Sequence, residues 1–223
     1  MSRWVVSELR DLMPNRPLDL QEARMIAERQ ALRFLALRGV DYPCLPEQAI
    51  SDLPRIEVRR FRHWPSSGAT KWINGRWVIV IKSSEPAGRQ KLSLAHELKH
   101  ILDHPFEPTI YSRVPADRRA WFVERQVCDY FAGCLLMPRP WLKRAYTTRT
   151  QRLDRLAAMF EVTEAAMATR LAQIGLVAPA ERCAPTANEQ ITRRLFGQNV
   201  RYRRRLHPQF GASPTDEAAL LTL

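Results

Sequence analysis

Apolar residues change their spacing along the chain, and each change predicts a different element. Residues 1–17 are polar, with Pro14 and Pro17, and leave room for a short helix at most. From Leu18 to Arg38, Ala23, Ile26, Ala27, Ala31, Leu35 and Leu37 make an approximate helical stripe. Asp19 is set to cap it and Gly39 to end it. A connector with Pro43, Pro46 and Pro54 follows. The period then drops to two. Ile56 and Val58 alternate with charged residues over 55–59, and runs at 69–73 and 76–81 flank Asn74-Gly75. Asn-Gly between two strand-like runs is a strong hairpin signal. A small antiparallel sheet is expected.

Helical spacing returns at Pro86. Leu92, Leu94, Ala95, Leu98, Ile101 and Leu102 supply a buried side until Pro105. After a Pro-containing stretch over 105–116, a second helix runs from about Asp117 to Met137, closed by Pro138 and Pro140. Two shorter helices are expected at 150–160 and 163–174, the latter capped by Thr163 and ended by Gly175. Beyond Pro179 the chain is polar, with the cluster Arg201-Tyr202-Arg203-Arg204-Arg205. The expected organisation is a polar segment at 1–17, a main α+β domain at 18–147, a helical part at 148–178 and a flexible basic tail at 179–223.

Composition narrows the function classes. The 223 residues are 45% hydrophobic, enough for a real core. No stretch approaches the roughly 20 apolar residues of a membrane span, and the first residues lack the apolar run of a signal peptide. A cytoplasmic protein without membrane contact is expected. Its four cysteines form no CxxC pair, which argues against a zinc ribbon or a thioredoxin-like site. Cys128 and Cys134 read as small core residues. The net charge of +12 favours an acidic partner, nucleic acid among them.

The candidate chemistry lies inside the first of these helices, at His96-Glu97-Leu98-Lys99-His100. Residues four apart share a helix face, so His96 and His100 can grip one metal ion, and Glu97 can serve as a general base on water. A catalytic zinc takes a third protein ligand. His104 lies about 12 Å along the axis from His96 and cannot join them on a straight helix. The metzincin pattern fails as well, since Asp103 and Phe106 stand where it needs Gly and His. The second helix offers Glu124 and Asp129, with Cys128 between them. Glu124 is the expected ligand, in the layout of a Glu-type zincin. Asp129 suits accepting the N–H of a ligand histidine, with Asp103 a rival that reads better as a surface carboxylate. Tyr111, Tyr130 and Tyr146 are open choices for an oxyanion-stabilising group. An edge strand, at 55–59 or 76–81, could pair with an extended substrate.

The segment from Ser93 to Pro105 resembles the motif helix of the ImmA/IrrE family of metallopeptidases. Asp129-Tyr130-Phe131-Ala132-Gly133-Cys134-Leu135-Leu136-Met137-Pro138 is similar to the family's FAxxLLMP segment, and residues 156–176 carry a weaker third match. The resemblance implies a minimal zincin fold, one zinc ion per chain, and cleavage of a helix-turn-helix repressor or antitoxin. It also exposes a departure. The family's ligand Glu should stand four residues before Asp129, and Arg125 stands there. Either a helix bulge restores Glu124, or Asp129 moves in, or the site is incomplete. A different function class stays open beside the peptidase: a DNA-associated regulator whose zincin domain is a scaffold. There Arg201, Arg203, Arg204 and Arg205 would contact nucleic acid.

Overall fold

The computed structural model describes residues 5–112 and 120–178. The basic tail, with Arg201, Arg203, Arg204 and Arg205, lies outside the described residues. The architecture is α+β, a small three-stranded sheet with helices, in keeping with a minimal zincin-like domain. Among the described residues no helix is long and apolar enough to cross a membrane.

The N-terminal part holds α1 (Val5–Arg10) and α2 (Leu20–Arg38). The start of α2 is fixed by a capping box: Asp19 accepts from the Glu22 N–H, and the Glu22 side chain accepts from the Asp19 N–H. Gly39 ends it in the left-handed region. Ala23, Ala27, Ala31, Phe34 and Leu35 form its buried face. A one-turn α3 (Gln48–Ser51) sits in the Pro-containing connector.

The strands are β1 (Ile56–Phe61), β2 (Gly68–Ile73) and β3 (Arg76–Lys82). Asn74 and Gly75 both have positive φ, which suits the tight turn joining β2 to β3. The sheet order is β1-β3-β2. One pairing departs from the expected small antiparallel sheet. β2 and β3 are antiparallel, but β1 pairs with β3 in parallel, Ile56 opposite Trp77. The sheet order also corrects residues 76–81 as an edge. β3 is central because its unbroken apolar run suits burial on both faces. Trp77, Ile79 and Ile81 join the main core, while Val78 and Val80 are buried on the other face.

Helix α4 (Ala87–Asp103) follows and packs on β2 and β3. After a one-turn α5 (Glu107–Ile110), α6 (Ala120–Leu136) lies against both α2 and α4. Pro138 and Pro140 do more than stop α6. They open α7 (Arg139–Thr148), which the sequence pattern did not predict. Proline fits a first helical turn, where no N–H partner is needed. α8 (Leu153–Phe160) and α9 (Glu164–Gln173) complete the described chain, with Thr163 capping α9. Arg170 on α9 is buried. It donates to the Met137 carbonyl and lies over the Tyr130 ring, tying α9 to α6.

Candidate metal centre

The two histidines of α4 converge. His96 Nε2 and His100 Nε2 are 3.1 Å apart. Two nitrogens bound tetrahedrally to one ion at about 2 Å would be about 3.3 Å apart. The other nitrogen of each ring is held by a carboxylate from α6. His96 Nδ1 lies 2.8 Å from Asp129 Oδ1, and His100 Nδ1 lies 2.7 Å from Glu124 Oε1. With these carboxylates as acceptors, each Nδ1 carries a proton, and the Nε2 atoms face a common point. Carboxylates beside metal-ligating imidazoles do this work: they fix the tautomer and raise basicity. The pairing of residue 96 with 129 and 100 with 124 means that α4 and α6 run antiparallel here. The residues present therefore fit a divalent metal.

Two sets of possible ligand atoms overlap at His100. His96, His100 and Cys128 form one, and His100, Glu107 and Glu124 the other, with the ligand atoms of each set within 4.8 Å of one another. Glu124 thus reaches the site through the His100 nitrogen that faces away from His96. Arg125 is exposed, and its charge acts on Asp129. α6 is helical without interruption from Ala120 to Leu136, so Glu124 gets there without a bulge.

The charges are strongly coupled. Burial works against a charged His100, yet Cys128, Glu124 and Glu97 together hold its pKa well above the ordinary imidazole value. Burial pushes the Cys128 thiol up to about 11, against the pull of His100. A bound cation would compete with protons for both groups. Burial and the nearby Glu124 raise Glu107 to about 7, opposed by His100. Asp129 goes the other way. Burial would raise it, but His96, Arg125 and Arg89 hold it below the usual carboxylate range.

Glu97 sits between α4 and the β2 edge. It is 7% exposed, and its Oε2 accepts a 2.7 Å hydrogen bond from Thr70 Oγ1. A Cβ on Gly68 would come within 2.8 Å of Glu97 Oε1. A glycine at the start of β2 therefore lets the carboxylate lie against the strand. Sequence reasoning missed both Gly68 and Thr70. The signal for Thr70 was its place on a strand beside the motif helix, two residues from Gly68 on the same face.

The remaining sequence candidates separate. Asp103 is fully buried rather than at the surface. It pairs with the buried Lys99 and accepts from Tyr111 Oη at 2.9 Å. The Tyr111 hydroxyl is thereby engaged by Asp103. Tyr130 donates to Glu28 at 3.2 Å, and Tyr146 packs against the core. His104 stacks edge-on against Trp77.

Residues 50–172 match a family model, Peptidase_M78, described as an IrrE N-terminal-like domain. No curated protein matches the chain. Among solved structures, a Mycobacterium tuberculosis transcriptional regulator is similar in fold, with a TM-score of 0.53 and 20% sequence identity. The match covers 75% of this chain and 51% of that one, so the chain spans about half the length of the regulator.

Proposed function

Because the chain belongs to the IrrE N-terminal-like family of Peptidase_M78, we propose that it is a zinc-dependent endopeptidase with a regulatory role. One observation carries this reading: the imidazole pair of α4, with both Nε2 atoms facing a common point and both Nδ1 atoms held by carboxylates. His96 and His100 would hold the ion. Zinc supplies Lewis acidity that lowers the pKa of water and polarises a carbonyl. Asp129 and Glu124 keep the two rings in the tautomer that leaves Nε2 free to bind. Glu97 takes a proton from the attacking water and gives it to the leaving amine. Thr70 Oγ1 holds Glu97 Oε2, which fixes the angle at which the carboxylate presents itself.

The substrate is a protein. In line with the family resemblance, a helix-turn-helix repressor or antitoxin is the proposed partner. The β2 edge beside Glu97 suits an extended segment of that partner better than β3, which is central. The test is incubation of the zinc-loaded full chain with such a repressor encoded beside it. Cleavage that a chelator stops, and that added zinc restores, supports the reading. Zinc-loaded protein that leaves the repressor and a panel of unfolded proteins intact overturns it.

A further inference from the structure

The geometry points to Cys128, rather than Glu124, as the third protein ligand of the metal held by His96 and His100. The inference rests on the metal site proposed above. Cys128 on α6 is fully buried and offers its Sγ within 4.8 Å of the ligand atoms of both histidines. A tetrahedral zinc at about 2.0 Å from nitrogen and 2.3 Å from sulfur needs a separation of roughly 3.5 Å between those ligand atoms. That separation falls inside the 4.8 Å limit within which the three ligand atoms lie.

Glu124 is committed elsewhere. Its carboxylate lies 2.7 Å from His100 Nδ1, the nitrogen on the far side of the ring from His96. It is grouped with His100 and Glu107, not with His96. Glu124 and Cys128 are four residues apart on an uninterrupted helix, so both face α4. The first is spent on orienting an imidazole, and the second is left facing the metal.

The ligand chemistry then differs from an all-nitrogen-and-oxygen site. A thiolate is soft, and a His-His-Cys set selects zinc or cobalt over manganese or magnesium. The thiolate also brings one negative charge into a buried pocket that a divalent cation must share. Three protein ligands leave a fourth position open, as a catalytic site requires.

Cobalt(II) added to the metal-free full chain tests this. A thiolate ligand gives an intense near-ultraviolet charge-transfer absorption in addition to the weaker visible bands. The wild type should show both. Cys128→Ser should lose the near-ultraviolet absorption and bind cobalt at least about tenfold more weakly. Glu124→Gln should keep that absorption while affinity falls about 10- to 100-fold, as for other groups that orient a ligand. X-ray absorption of the zinc-loaded wild type, which needs no variant to fold, should show one sulfur neighbour at about 2.3 Å. Cobalt binding with visible bands alone, or a zinc shell of nitrogen and oxygen only, overturns Cys128 and leaves the metal site standing. A wild type that binds neither ion overturns both.

Discussion

Two polar pairs four residues apart lie on α4, and the fold treats them differently. Lys99 and Asp103 are closed on all sides. Lys99 donates to Asp103 and to Gln30 Oε1 at 2.8 Å, Tyr111 donates to Asp103, and Gln30 Nε2 donates to the Leu9 carbonyl. Both charged groups are within 1% of full burial. His96 and His100 are also held, but from one side only. Their Nδ1 atoms have carboxylate partners, and their Nε2 atoms lie 3.1 Å from each other. The closed pair fixes the helix in place. The open pair leaves binding capacity unspent. Burial alone does not separate the two roles; what separates them is where the remaining lone pairs point.

The contrast breaks most sharply at Glu97. Glu97→Gln should lower the cleavage rate by about 10²- to 10⁴-fold, with the bound-metal content unchanged in elemental analysis. Equal rates for the two proteins would remove Glu97 from the chemistry. Next comes the closed pair. Asp103→Ala strands a buried ammonium and should cost about 3–5 kcal/mol in urea unfolding. The double replacement Lys99→Met, Asp103→Leu should recover most of that loss, because no buried charge is left. On the open side, Asp129→Ala should barely alter metal-free stability. It should weaken zinc binding by about 10- to 100-fold, read by competition with a chromogenic chelator.

The smallest effect expected is one of pH. The Glu107 carboxyl titrates at about 7 in the folded chain, against 4.5 for an ordinary glutamate. The folded state therefore binds more protons between those values, and metal-free stability falls as pH rises from about 4.5 through about 7. Glu107→Gln should remove this slope. The metal-free variant would be more stable than wild type by about 1 kcal/mol above the folded pKa and no different below 4.5. A variant whose unfolding midpoint tracks wild type across that range would show that Glu107 does not carry the strain.

Elements set by neighbouring residues were legible in the chain. The Asp19–Glu22 capping box, the Asn74-Gly75 turn and the helical placement of His96 and His100 each depend on contacts within a few positions. Elements set by distant partners were not. Nothing near Ile56 says that β1 will lie parallel to β3, because its partner Trp77 lies far along the chain. The unbroken apolar run of β3 did carry the central position, in a form that length alone left ambiguous. Pro138 and Pro140 read equally well as a stop and as a start. Asp103 looked like a surface acid because Lys99 and Tyr111, its partners, reveal themselves only when α4 and the segment after it are folded together. At the site, the histidines and Glu97 were written in one helical turn. The contact of Glu124 with His100 and the nearness of Cys128 depend on how α6 is rotated against α4, and no local pattern fixes a rotation between two helices.

One buried hydrogen bond bears on how this chain can be divided. Gln30 belongs to α2, outside residues 50–172 that match the family model, yet it closes the network around Lys99 on the motif helix. Phe34 and Leu35 of the same helix are buried in the common core. The stretch recognised as a family unit is therefore not a module that can be excised. A fragment cut at residue 50 would uncover an apolar face on α6 and leave an ammonium short of a partner. It would be expected to aggregate when expressed alone, even though every residue of the motif helix is present.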